Sequence, residues 1–373
     1  MSGRVVLFGA TGYTGELTAR AMAARGMRPV LAGRRREALE SLSDDLGGTE
    51  IAVADAARPD TVRAIVGQGD VLVTTVGPMS RWGNAALDAA LDARAHYVDS
   101  SGESRFVRKV FEQAGRRASH QGLVLLAAMA YDSVPGNLAG ALALREAGSS
   151  ATSVRIGYFV TGGRRRGFKG GLDHMSGGSR ATFATMAIEP GFAYRGGRLV
   201  TERGSARVGA FEDGGRRLRG VSFGTSEAFS LPRLYPSLRE VDVYFGWFDR
   251  ASRMLQIGSL AISAVTRIPG VRPALSALTS RLAGASSAAP ADAGTGSLFI
   301  AEAIDPGGKR LATVRLEGIN GYEFSGKMLA WAAERVATGN AEGAGAVGPV
   351  EAFGIEQLEA GVAECGIARS SGR

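Results

Sequence analysis

The residues with the clearest chemistry stand near the start of the chain, where Gly9-Ala10-Thr11-Gly12-Tyr13-Thr14-Gly15 follows an apolar run at 5–8 and opens an amphipathic stretch. Three glycines in a turn between a strand and a helix suit the diphosphate of a dinucleotide. The first permits a tight turn, the second lets phosphate approach the backbone, and the third lets the helix lie against the strand. Amides left unpaired at the helix start then face the anion. Gly9, Thr11, Gly12, Tyr13 and Thr14 are therefore candidate cofactor-binding residues, with a purely structural turn as the competing reading.

The next expected strand ends in Leu31-Ala32-Gly33-Arg34-Arg35-Arg36. An NAD-specific site would carry an acid there to accept from the ribose 2′-hydroxyl. Gly33 followed by Arg34 and Arg35 suits a 2′-phosphate instead, through charge-assisted bidentate contacts and stacking on adenine, so NADP(H) is the expected cofactor. A solvated basic helix start is the alternative. Asp55, at the end of the third expected strand, either holds the adenine amino group or caps the helix that starts near Pro59. Val76-Gly77-Pro78 closes the fourth strand where the diphosphate and nicotinamide ribose should lie, and its small, rigid backbone allows close approach.

The elements that must position these residues are legible as a pattern. Runs at 4–8, 29–31, 51–54, 71–76, 96–99 and 123–128 read as strands, and the stretches 14–25, 36–46, 59–66 and 84–93 between them carry apolar residues near a 3.6 period. Strands alternating with helices demand a parallel sheet covered on both faces, with ligands at the carboxyl ends of the strands. Beyond about 150, the runs 154–160, 241–245, 297–304 and 311–316 alternate with period two and read as half-exposed antiparallel strands of a second, α+β domain. A Gly- and Arg-rich loop is expected at 162–171, helices at 178–188, 250–267 and 272–283, and a loop at 284–296. The stretch 355–365 reads as a helix that returns to the first sheet. The expected bounds are 1–150, 151–340 and a C-terminal segment 341–373.

Composition bounds the function classes. A chain of 373 residues, 45% hydrophobic and 21% charged, is a globular protein of about two domains. Its single cysteine, Cys365, forms no internal disulfide. The three histidines, His96, His120 and His174, have no metal-ligand spacing, so no metal is expected. The net charge of +8 favours acidic partners, but no nucleic-acid motif accompanies it. The apolar stretch 254–266, bracketed by Arg253 and Arg267, is too short to span a bilayer and leaves a peripheral membrane contact open. The run at 5–8 is too short for a signal peptide, so a cytoplasmic protein is expected. None of the eight tyrosines is followed four residues later by lysine, which disfavours the tyrosine-lysine type of short-chain reductase chemistry.

Several separated segments resemble the saccharopine dehydrogenase-like family, including its trans-acting enoyl reductase branch. They are the glycine turn with Ala32-Gly33-Arg34-Arg35, then Val76-Gly77-Pro78, Tyr97-Val98-Asp99-Ser100-Ser101-Gly102-Glu103, Ala130-Tyr131-Asp132-Ser133-Val134-Pro135-Gly136, and Ser176-Gly177-Gly178-Ser179. The resemblance implies a Rossmann-type doubly wound parallel sheet, a second domain with a mixed or antiparallel sheet over the nicotinamide, and a C-terminal helix packed on the first domain. It also implies hydride transfer, to C=C bonds of acyl chains or to C=N bonds of amino-acid imines.

Relatives usually carry Gly-Phe-Asp-Ser where this chain has Ala130-Tyr131-Asp132-Ser133. Tyr131 is the candidate catalytic residue, as proton donor or substrate orienter, with packing as the alternative. Asp132 is expected to cap a helix and Glu103 to interact with a helix N-terminus. The expected reaction is reduction of a conjugated C=C bond on a hydrophobic or acyl-carrier-bound substrate of secondary-metabolite type. Phe183, Met186 and 254–265 are candidate tunnel parts. Imine reduction is the alternative, with Arg164, Arg165, Arg166 and Arg180 as carboxylate clamps. A non-catalytic NADPH-binding or membrane-peripheral interaction protein is the alternative of another class. A homodimer is expected.

Overall fold

The computed structural model describes residues 3–162, 189–246, 252–265, 271 and 294–370. Of the expected loop 162–171 all but Gly162, the segment Ser176-Gly177-Gly178-Ser179, the helices 178–188 and 272–283, positions 284–293 of the expected loop 284–296, and Arg164, Arg165, Arg166, Arg180, Phe183 and Met186 lie outside the described residues. The chain forms two compact units. The first comprises Met1–Gly102, Phe106–Val134 and Gly321–Gly366, and the second Glu103–Arg105, Pro135–Asn320 and Ile367–Arg373.

In the first unit, β1 (Val5–Phe8), β2 (Val30–Gly33), β3 (Ile51–Val53), β4 (Val71–Thr74), β5 (His96–Asp99) and β6 (Val124–Leu126) alternate with helices. The helices are α1 (Tyr13–Ala24), α2 (Arg36–Asp45), α3 (Pro59–Arg63), α4 (Met79–Ala93), α5 (Ser104–Lys109) and α6 (Gly115–His120). All four residues of β1, β2 and β4 are buried. Such unbroken apolar runs arise where a parallel sheet is covered on both faces. The strand order is 3-2-1-4-5-6, extended beyond β6 by a short strand near the C-terminus, and every pairing is parallel. This is the doubly wound Rossmann order, whose direction of winding reverses between β1 and β4.

The second unit opens with α7 (Val134–Ala147) and β7 (Ser153–Gly162). It continues with β8 (Gly191–Arg195), β9 (Arg198–Glu202), β10 (Val208–Asp213), β11 (Arg216–Ser222), α8 (Glu227–Leu234), β12 (Glu240–Phe245), α9 (Ser252–Val265), β13 (Thr295–Ile304) and β14 (Arg310–Gly318). Its sheet is mixed. β7 pairs antiparallel with β13, which pairs antiparallel with β14, but β7 and β12 run parallel with Val154 opposite Val241. The expectation of antiparallel strands at 154–160 and 241–245 is corrected there. Period-two alternation reports one covered face and carries no information on partner direction. The hairpins β8–β9 and β10–β11 went unread, although each turns on a glycine pair at positive φ, Gly196-Gly197 and Gly214-Gly215. Gly-Gly between alternating runs is a hairpin signal.

The chain returns to the first unit with α10 (Gly321–Ala337), β15 (Gly345–Ala346), α11 (Pro349–Phe353) and α12 (Ile355–Glu364), before β16 (Ile367–Arg369) joins β14. The units divide at Val134 and Gly321, whereas the expected bounds are 150 and 340. Two packings set these divisions. Gly140 of α7 lies against Ile156 and Leu231, and the Tyr235 hydroxyl donates to the Ala141 carbonyl at 3.0 Å, which ties α7 to the second sheet. α10 runs parallel to α1. Tyr13 and Tyr322 meet edge to face at 5.3 Å at their starts, and Arg25 binds Glu334 at 2.6 Å at their ends. Among the described residues no helix is long and apolar enough to cross a membrane.

Candidate dinucleotide site

The glycine turn joins β1 to α1 at the carboxyl edge of the first sheet. Gly9 has φ of +96°, a conformation that L side chains rarely adopt, and its amide donates to the Ala32 carbonyl at 2.8 Å. The Ala10 amide donates to the same carbonyl at 3.1 Å, so the turn is anchored on the end of β2. A Cβ on Gly15 would overlap the Gly9 carbonyl oxygen, so this residue lets α1 press onto the strand end. Gly12 differs. It is the extended N-cap of α1, and a Cβ there would meet only the Gly9 carbonyl oxygen, at 3.3 Å. The turn therefore presents a bare backbone face at the helix start, where amides lack intrahelical acceptors.

β4 closes the other side of the switch point. The Thr75 amide donates to the Phe8 carbonyl at 3.0 Å and its hydroxyl to the Gly9 carbonyl at 3.2 Å. Val76, Gly77 and Pro78 follow directly, and Pro78 is the N-cap of α4. Across β2, Gly33 lies beside Thr11, and the Arg35 guanidinium reaches within 3.4 Å of the Thr11 carbonyl. Arg34 and Arg35 are exposed, and among the described residues neither has an acidic partner. The fold thus gathers the glycine turn, the two arginines and Val76-Gly77-Pro78 along one edge.

Asp55 stands at the end of β3 on the same edge. Its Oδ1 accepts from the Ala57 amide at 3.0 Å, and Arg58 approaches Oδ2 at 4.0 Å. The observed role is a local turn, and the N-cap of α3 is Arg58.

The ends of β5 and β6 are tied together by a buried carboxylate. Asp99 Oδ1 accepts from the amides of Ser101 and Ala128, each at 2.8 Å, and the Asp99 carbonyl accepts from the Met129 amide at 2.7 Å. The loop after β6 then delivers Tyr131, whose amide donates to Ser325 Oγ at 3.1 Å and whose buried ring lies against Gly321 at the start of α10.

Asp132 is the residue that sequence reasoning misjudged. The entry to α7 is held by the Ala130 carbonyl, which accepts from the Val134 amide at 3.0 Å, and among the described residues no donor binds the Asp132 carboxylate. The cap is not made, because the side chain turns toward Gly102, where a Cβ would sit 2.5 Å from Oδ2. Burial raises this carboxyl to about 6. A hint was available in sequence. Asp132 and the glycine at 102 belong to the two segments most specific to the resemblance, but only contact between the two loops shows that the carboxyl is desolvated.

A carboxyl raised in the folded state above its unfolded value of about 3.9 favours folding only while protonated. Its contribution is complete below about pH 4 and is lost as pH rises through about 6. Asp132→Asn is accordingly expected to melt higher than the unsubstituted chain at pH 8 and level with it at pH 4. Equal melting temperatures at both pH values would refute the desolvation argument.

A glycine turn at the switch point of a doubly wound sheet, flanked by arginines that have no acidic partner among the described residues, is the arrangement of a dinucleotide-binding domain. Residues 5–125 match the family model described as saccharopine dehydrogenase NADP binding domain.

Over 140 residues the chain is 36% identical to the trans-acting enoyl reductase of Mycobacterium leprae, a stretch that covers 36% of this chain and 34% of that protein. The trans-acting enoyl reductase of Mycobacterium tuberculosis H37Rv matches over 140 residues with the same identity and the same coverage. The match thus spans about a third of the length of these curated relatives. Among solved structures, the apo saccharopine dehydrogenase (L-Glu forming) of Saccharomyces cerevisiae shares the fold over 99% of both chains, with a TM-score of 0.63 and 11% identity.

Proposed function

We propose that the chain is an NADPH-dependent reductase that delivers hydride to a conjugated C=C bond of a hydrophobic or carrier-bound acyl substrate. The observation that carries the cofactor half is the bare Gly12 face of the turn beside Arg34 and Arg35, where an NAD site would carry an acid. The enoyl half is supported by the relatives, which are named trans-acting enoyl reductases.

In this reading the amides at the start of α1 hold the diphosphate, and Arg34 and Arg35 hold the 2′-phosphate. Asp55 holds the adenine amino group, and Val76-Gly77-Pro78 flanks the diphosphate and nicotinamide ribose. Bound NADPH supplies the hydride. The chain orients the acceptor carbon and excludes water, which raises the rate by converting encounter into a fixed geometry.

Hydride addition at the β-carbon leaves an enolate that needs one proton at the α-carbon. Tyr131 and Asp132 are the proposed source, because they adjoin on the same sheet edge and a carboxyl at about 6 is still protonated in about a tenth of the molecules at pH 7, far more than an ordinary carboxyl. Asp132→Asn is expected to lower turnover about a hundredfold and to remove the loss of activity as pH rises through about 6. Tyr131→Phe separates the two groups. A comparable loss places the phenol between Asp132 and substrate, and unchanged turnover leaves the ring as packing on Gly321.

The reading is tested by fluorescence titration with NADPH and NADH in parallel, followed by transfer of deuteride from labelled NADPH to enoyl thioesters. Deuterium at the β-carbon supports it. Deuterium only in an amino-acid imine would replace it with C=N reduction. Tight NADPH binding without transfer to either would leave a nucleotide-binding interaction protein.

A further inference from the structure

Helix α9 is built inside out. Its inward face is polar. Ser252 Oγ lies 3.4 Å from the Arg219 carbonyl, Gln256 Nε2 donates to the Ala206 carbonyl at 3.1 Å, and Ser259 Oγ is bound by Arg203. Its outward face is apolar. Met254 is 75% exposed, Ile257 65%, Leu260 53% and Val265 46%, and these are four of the seven large hydrophobic side chains that the described residues expose. Gly258, Ala261 and Ala264 fill the same arc, so no polar side chain interrupts it after Arg253.

A surface helix of a soluble protein turns its apolar stripe to the core and its polar face to water. Here the arrangement is reversed, and a contiguous apolar face of this kind marks a contact with something else. The helix has 14 residues, which gives about 21 Å of length, enough to lie along a surface and too little to span a bilayer.

We propose that the outward face of α9 seats on an anionic lipid surface, with Met254, Ile257, Leu260 and Val265 in the headgroup-acyl boundary. Charge selects this occupant over a second copy of the chain. The helix carries no acidic residue, and Arg253, exposed at its start, has no acidic partner among the described residues. The sequence adds Arg250 and Arg267 against the single acid Asp249 in the flanking residues, and the whole chain carries +8. A twofold contact through α9 would set these cations against their own copies, whereas an anionic bilayer neutralises them.

The test is sedimentation of the full chain with phosphatidylcholine vesicles and with vesicles containing phosphatidylglycerol. Partition into the anionic vesicles is expected. It should fall at least about tenfold in Ile257→Asp/Leu260→Asp and weaken as salt is raised, while the NADPH titration of the same variant stays unchanged. Since both side chains point outward, circular dichroism and the cofactor titration serve as the folding control. No partition into anionic vesicles, or partition that the double substitution leaves intact, would overturn the proposal. Self-association in velocity sedimentation that the double substitution abolishes, without vesicle binding, would assign the face to a second copy instead.

Discussion

Replacing Arg34 and Arg35 together with alanine is expected to raise the NADPH dissociation constant about a hundredfold and to leave that for NADH within about threefold. The two side chains stand exposed at the end of β2 without acidic partners among the described residues, so their removal leaves no buried charge behind and the fold is untouched. A charge-assisted hydrogen bond is worth about 1.5–3 kcal/mol, and about 1.4 kcal/mol is a tenfold change. Each arginine thus accounts for roughly a decade, and NADH, which lacks the 2′-phosphate, loses neither contact. Isothermal titration of the double variant with both nucleotides decides it. Equal losses for the two would remove the 2′-phosphate assignment and return the arginines to solvent.

The second large effect separates glycines that build the turn from the one that binds. Gly15→Ala drives a Cβ into the Gly9 carbonyl, so either α1 or the strand end must move. The expected cost is about 3 kcal/mol or more, with cofactor affinity lost as well. Gly12→Ala meets only one oxygen, at 3.3 Å, and should unfold within about 1 kcal/mol of the unsubstituted chain. Its methyl would nevertheless stand on the face that the diphosphate must approach, so NADPH binding should weaken at least about tenfold. Denaturant unfolding and nucleotide titration of both variants give the four numbers needed. If Gly12→Ala binds NADPH as tightly as before, the diphosphate does not lie on this turn.

Most of the first unit was legible residue by residue. β5 falls at 96–99 as expected, and α12 occupies Ile355–Glu364 within the expected 355–365. Helix α1 begins one residue before the expected 14–25 and ends one residue earlier. The expected helix 84–93 begins instead at Met79, because Pro78 serves as its N-cap and the apolar period of its first turn is broken by Ser80 and Arg81. The second unit was harder to read, since the direction in which β12 pairs with β7 depends on where the intervening chain runs and not on the alternation within either strand.

Local chemistry determined what could be read without coordinates. A glycine turn after a buried apolar run, an arginine pair where an acid would otherwise stand, and alternating strand and helix periods are all statements about neighbours in sequence. The sequence therefore specified a doubly wound sheet and a phosphate-bearing dinucleotide as its ligand. Only the tertiary structure decided that α10, more than 220 residues from β4 and β5 in sequence, packs beside α1 in the first unit. It also decided that Asp132 faces Gly102 instead of capping α7, and that α9 shows its apolar side to the outside. Desolvation and exposure depend on which distant segments occupy the surrounding space. A one-dimensional pattern records which faces of an element differ, but not which of them the rest of the chain will cover.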